Sequence, residues 1–319
     1  MAAVRLTSSY QKNMPFYSSM MHLRLCVAAL AALFISSISA DCPDYADYSK
    51  KSHPPLSTGK YKLAYQRPEL ACRTFNSSIV EDTITSLESV IKDPDLYRLF
   101  QNSFSNSLDT AVKWRGFAAN NSEEELTFLI TGDINAMWLR DSANQMQSYL
   151  PLVKVDKSYN SLASLYRGVI NLQARYVLEA PHCNSFQPPV ESGLSPTQNQ
   201  ATPDDFTPPA SNQTVFECKY ELDSLAAFLE ISTNYYEATG DIDFFRKFQW
   251  VDALNAVLNT TQALLIGTYA SNGSVNTTPY TWKRQTTTAT ETLDNSGRGN
   301  PVQGGTGLIR SAFRPSDDS

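Results

Sequence analysis

Residues 157–179 read KSYNSLASLYRGVINLQARYVLE. Leu162, Leu165, Val169, Leu172 and Tyr176 recur three and four residues apart, the spacing that gathers side chains on one face of an α-helix. The stretch predicts a long helix, and its neighbours extend the pattern. Upstream, a helix is expected from about Arg140 to Leu150, where Pro151 stops it. Glu125–Ile130 ends in LTFLI, a short apolar strand or buried turn. Ile79, Ile84, Leu87 and Ile91 keep helical spacing from about Ser78, Asp93-Pro94 breaks the run, and a second helix is expected over 95–112. Downstream, helices are expected over Ser224–Thr239, ended by Gly240, and over Asp241–Ile266. About six helices with few strands predict an all-α layered fold or an α/α barrel.

Three segments lack this periodicity. Residues 41–75 are polar, with Tyr and Pro, and read as an extended N-terminal arm. Residues 183–216 carry Pro188, Pro189, Pro196, Pro203, Pro208 and Pro209 among Ser, Thr, Asn and Gln, and read as a long irregular loop. Residues 267–319 are rich in Thr, Gly and Asn.

The chain of 319 residues is 42% apolar and 18% charged, enough to build a core and too apolar for wholesale disorder. Its net charge is −6 with no basic patch, which argues against nucleic acid as a partner. Leu25–Ile35 reads LCVAALAALFI, follows Arg5, Lys12 and Arg24, precedes SSISA, and sits in a first forty residues without an acid. This is the pattern of a secretory signal peptide over residues 1–40, with initiation at Met20 or Met21 as a variant. The run is short for a bilayer span, so no stable membrane span is expected, although a signal anchor is the alternative. The expected destination is the secretory pathway or the extracellular space. Cleavage after Ala40 leaves His53 and His182 as the histidines, too few for a zinc site built on imidazoles, so no metal or cofactor is expected.

An oxidising compartment makes the four remaining cysteines, Cys42, Cys72, Cys183 and Cys218, candidates for two disulfides. Three connectivities are open, and proximity in sequence favours Cys42–Cys72 with Cys183–Cys218; buried free thiols are the alternative. Six N-x-S/T sequons, at Asn76, Asn120, Asn212, Asn259, Asn272 and Asn276, suggest a glycosylated surface.

Three clusters could do chemistry. Thr131–Ser142, TGDINAMWLRDS, joins Asp133, Trp138, Arg140 and Asp141. Carboxylates and guanidinium groups bind paired hydroxyls, and an indole covers the C–H face of a sugar. The competing reading makes Asp141 a helix-start residue and Trp138 core. Lys219-Tyr220-Glu221-Leu222-Asp223-Ser224 puts Lys219, Glu221 and Asp223 on one face if extended. The LAAFL that follows places a helix start near Asp223, whose competing role is an N-cap. Arg310–Ser319, RSAFRPSDDS, offers hydroxyl or cation ligands, or simply a solvated turn. No serine-hydrolase elbow, zincin, P-loop or dinucleotide motif occurs.

Together TGDINAMWLRDS (131–142), KYELDSL (219–225), TATETL (288–293) and TGLIRSAFRPSDDS (306–319) resemble glycoside hydrolase family 125, the exo-acting α-1,6-mannosidases. Four unrelated motifs coincide in the family's order, across most of residues 60–319. The resemblance implies an (α/α)6 barrel of six helical hairpins and a metal-independent, inverting hydrolase of mannose-containing oligosaccharides or glycoprotein glycans. It makes Asp223 the general acid. Asp133, Trp138, Arg140, Asp141, Lys219 and Glu221 would surround the terminal mannose, with Arg314, Asp317 and Asp318 as further contacts. The family's base is a Glu downstream of RPSDD, and Glu291 is not taken as its substitute. Residues 76–319 would then be the N-terminal portion of the catalytic domain, truncated to about half of its helices, with an unsealed apolar face. Two rival readings are a non-catalytic or defective mannose-binding glycoprotein and a purely structural secreted glycoprotein.

Overall fold

The computed structural model describes residues 42–198, 204–284 and 297–310. The described residues fall in one compact unit. The elements run α1 (Tyr45–Tyr48), α2 (Ser78–Glu88), α3 (Pro94–Phe104), β1 (Val112–Ala118), β2 (Asn121–Leu129), β3 (Met137–Trp138), α4 (Leu139–Gln147), α5 (Leu162–Glu179), β4 (Ser185–Phe186), β5 (Asp204–Thr207), β6 (Val215–Glu217), α6 (Leu222–Thr239), α7 (Trp250–Ala263) and β7 (Thr281–Arg284). Helices dominate, and three small antiparallel sheets join them: β1 with β2, β3-β4-β6, and β5 with β7.

The central helix is α5. Ser161 caps it by accepting the Ser164 amide at 3.0 Å. Of its 18 residues, 14 are buried, so it is enclosed on more than the one face its spacing predicts. One side lies on β2, where Asn171 Nδ2 donates to the Glu125 carbonyl at 2.9 Å and Arg167 Nε reaches Glu125 Oε2 at 2.6 Å. The other sides meet α6 and α7. Helix α4 lies along α6, with Asn234 Nδ2 donating to Gln147 Oε1 at 3.0 Å.

Several expectations need correction. The helix expected over 95–112 ends at Phe104, and one wide helical turn, Ser107–Ala111, leads into β1. Residues 112–118 pair instead with 121–129 across a tight turn, because the hairpin has α5 to cover it. The Pro-rich segment 183–216 is not structureless: β4, β5 and part of β6 lie in it. The helix expected over 241–266 splits into a short 3-10 turn, Phe244–Arg246, and α7. Asp241 Oδ1 accepts the Phe244 amide at 3.3 Å, and Tyr235 packs edge-on to Phe244 and Phe245, which pins that turn against α6. The all-α expectation therefore gives way to a mostly helical fold with small sheets.

Residues 42–75 are mostly extended but not free. Cys42 and Cys72 are disulfide-bonded. Arg67, with its side chain 3% exposed, reaches Asp109 Oδ2 at 2.7 Å and also grips Glu81. Those carboxylates raise the guanidinium above its usual range despite burial.

Gly168 explains how closely α5 approaches β2. A Cβ there would collide with Thr127 Oγ1 and stand 3.0 Å from the Leu126 carbonyl carbon. Thr127 is buried and the Leu126 backbone belongs to the hairpin, so neither neighbour yields easily. Gly168→Ala is expected to destabilise the protein by about 1–3 kcal/mol, read as a lower midpoint in chemical denaturation. An unchanged midpoint would show that the helix can lift off the strand without cost.

Candidate active site

The site forms where three chain segments meet. Strand β3 runs directly into α4, so Trp138 ends the strand and Arg140 and Asp141 fall in the first helical turn. Strand β4 pairs with both β3 and β6, and Cys183–Cys218 ties the segments together with a Cα–Cα distance of 4.0 Å. Six residues after β4's partner strand begins, the chain reaches Glu221 and turns into α6.

Glu221, not Asp223, holds the N-cap position of α6, in extended conformation and without a side-chain capping bond; Asp223 lies in the first turn. The capping role considered for Asp223 is thus not realised. Arg140 joins the three carboxylates. Its Nη1 lies 3.0 Å from Glu221 Oε2 and 3.2 Å from Asp223 Oδ2, and its Nη2 lies 3.3 Å from Asp141 Oδ2. The two acids of the 221–223 pair differ sharply: the Glu221 side chain is 0% exposed and that of Asp223 is 48% exposed. Asp223 can meet a ligand; Glu221 serves to hold the guanidinium.

Asn184 completes the support. Its Oδ1 accepts the Lys219 amide at 3.0 Å, and its Nδ2 donates to Glu221 Oε1 at 3.1 Å and Glu217 Oε2 at 3.3 Å. Lys219 does not join the Arg140 cluster by any described bond. Its Nζ pairs with Glu217 Oε1 at 3.0 Å and lies 5.7 Å from the Trp282 ring centroid. The Tyr280 hydroxyl donates to the Cys218 carbonyl at 2.8 Å and accepts the Tyr220 amide at 3.1 Å, clamping the backbone just before Glu221. Trp138 is half-buried, edge-on to Phe216 with ring centroids 5.4 Å apart, so it is not a core residue. Asp133 stands exposed in the bend before β3 and forms no ion pair among the described residues. Arg314, Asp317, Asp318 and Glu291 lie outside the described residues. Asn184, Glu217, Tyr280 and Trp282 were not singled out in the sequence. A signal for Asn184 existed: a Cys183–Cys218 pairing places it beside 217–221.

Among the described residues, no group of three or more His, Cys, Asp or Glu is arranged to hold a metal ion. None of the described helices is long and apolar enough to cross a membrane.

An arginine shared by carboxylates, one of them open to solvent, beside an indole suits a carbohydrate-active hydrolase. Comparison with known proteins narrows this class. The family model for metal-independent α-mannosidases, glycoside hydrolase family 125, matches residues 93–319. The chain belongs to that family. It is 43% identical over 279 residues to the Meiotically up-regulated gene 157 protein of Schizosaccharomyces pombe (strain 972 / ATCC 24843), covering 87% of this chain and 53% of that protein. It also resembles a metal-independent α-mannosidase of Streptococcus pneumoniae solved in a non-productive complex with α-1,6-mannobiose. That likeness has a TM-score of 0.57 and 28% identity, over 77% of this chain and 51% of the other. The chain therefore spans about half the length of the relatives it matches.

His182 lies under this site, parallel to Tyr280 at 5.7 Å and tilted against Tyr220 at 5.9 Å. Its Nε2 is enclosed without a hydrogen-bond partner among the described residues. Burial pushes the imidazole down to about 4. An unfolded histidine titrates near ~6.5. Between those values the unfolded chain binds a proton that the folded one refuses, so stability falls as pH drops. The contribution is complete above about pH 6.5, is lost through pH 4, and amounts to at most about 3 kcal/mol. His182→Gln should flatten this part of the stability–pH curve, measured by denaturant titration from pH 7.5 to 4. Parallel curves for the two proteins would refute the assignment.

Proposed function

We propose that the whole protein is a secreted, exo-acting glycosidase that removes terminal α-1,6-linked mannose with inversion, and that Asp223 is its general acid. Membership of the family supports the reaction class, and the α-1,6-mannobiose bound by the pneumococcal relative supports the linkage. The observation that carries the residue assignment is the contrast within the pair: Asp223 is open to solvent beside Arg140, and Glu221 is enclosed. Asp223 would protonate the glycosidic oxygen. Arg140 and Asp141 would bind mannose hydroxyls, Trp138 would face the sugar's C–H surface, and Asp133, Arg314, Asp317 and Asp318 would complete the pocket.

Inversion also requires a base that activates water, with the two carboxyl groups about 6.5–9.5 Å apart. The chain spans about half the length of its relatives, and we propose that this base and the remaining hairpins of an (α/α)6 barrel belong to the length it does not span. Secretion is supported by the leader-like residues 1–40 and by both disulfides. Five sequon asparagines, Asn76, Asn120, Asn212, Asn259 and Asn272, are exposed and suited to glycans. Asn276 is half-buried and donates its amide to the Gly267 carbonyl at 2.9 Å, so it is the least suited.

The test is mannose release from α-1,6-mannobiose by the full-length protein. Asp223→Asn should lower kcat by about 10²–10⁴-fold with KM little changed. An aryl mannoside with an acidic leaving group should recover most of that loss, because departure then needs no proton. Equal loss on both substrates, or no loss, would remove Asp223 from the acid role. Mannobiose binding by the wild type without turnover would overturn the enzyme reading.

A further inference from the structure

A second polar site shares no residue with the Arg140 cluster. Two helix N-termini meet at a pocket of about 310 Å³, Ser77–Ile79 at the start of α2 and Ser161–Ala163 at the start of α5, with Lys154 in its wall. The first amides of a helix have no partner within it. Here the amides of Ser78, Ile79, Leu162 and Ala163 find no acceptor elsewhere among the described residues.

Ser77 points independently to a ligand. It is 8% exposed and lines the pocket. It occupies the N-cap position of α2, where a hydroxyl ordinarily accepts an amide of the first turn, yet its side chain makes no capping bond. Ser161, by contrast, is committed to the Ser164 amide at 3.0 Å and the Ser158 carbonyl at 2.7 Å.

The electrostatics agree. Each helix N-terminus carries about half a positive charge, and Lys154 adds a full one without an ion pair among the described residues. Glu81 in the first turn of α2 is matched by Arg67 and Arg73. Asp156 also lines the pocket, but its Oδ1 accepts the Ser158 amide at 2.7 Å, which directs that oxygen to its own loop. The site is a concentration of donors in a protein whose overall charge is −6. We propose that this pocket binds a tetrahedral oxyanion, phosphate or sulfate, either free or as the monoester of a sugar. Amides, hydroxyl and ammonium would each meet an anionic oxygen.

The test is direct binding to the full-length protein, by calorimetry and phosphorus NMR, with inorganic phosphate in one arm and mannose 6-phosphate in the other. The inorganic phosphate arm carries no sugar, so its outcome is independent of the mannosidase reading. Expected is saturable one-site binding of inorganic phosphate with Kd in the millimolar range or below, weakening as sodium chloride rises. Lys154→Gln, at an exposed position, should weaken it about tenfold without changing the melting temperature, and Ser77→Ala should weaken it further. Equal affinity in the two arms assigns the site to the free ion; tighter binding of mannose 6-phosphate assigns it to phosphorylated sugar. No saturable binding in either arm, or binding that both variants leave unchanged, would overturn the proposal.

Discussion

The carboxylate of Glu221 is the group to which the rest of the site is tied. A carboxyl side chain with no exposed surface persists only when its partners replace water. Those partners come from separate parts of the chain: Arg140 from α4, Asn184 from the segment before β4, and Ser224, 3.3 Å away, from the same helix as Asp223. Breaking one half of such a pair typically costs about 3–5 kcal/mol, because the other half stays buried and charged. The bond that holds the fold together here also aims the guanidinium at Asp223.

The disulfide and the small sheet make this arrangement possible. Cys183–Cys218 holds Asn184 within reach of the 217–221 backbone, and Asn184 then bonds a main-chain amide and two carboxylates at once. Tyr280 adds a second clamp on residues 218–220 from sixty positions downstream. A short strand that would be marginal alone is thereby fixed at its C-terminal end.

Features with a local cause were legible in the sequence. The apolar spacing of Leu162–Tyr176 marks α5, Pro94 opens α3 with Asp93 as its cap, and Gly240, at φ +67°, ends α6. Features with a distant cause were not. Nothing within residues 185–217 announces β4 and β6, whose pairing depends on each other and on β3. The strand Thr281–Arg284 reads as part of a Thr-rich tail until Asp204–Thr207 lies beside it. The helix expected over 95–112 stops short at Phe104, and Val112 is drawn with the residues after it into a hairpin by β2 and α5. At the site, residue types were readable in Arg140, Glu221 and Asp223, but their division of labour was not. It depends on which carboxylate faces inward, and that is a matter of backbone conformation.

That conformation changes between Glu221 and Asp223. Glu221 is still extended, with φ −129° and ψ 116°, whereas Asp223 is already helical. The change sends one acid into the enclosed side and leaves the other at the surface, with a single guanidinium between them. Arg140 Nη1 stands 3.2 Å from the exposed Asp223 and 3.0 Å from the enclosed Glu221, so the nitrogen that braces the inner acid also faces the outer one. The enclosed glutamate is what holds one arginine beside a carboxylate that stays open to solvent.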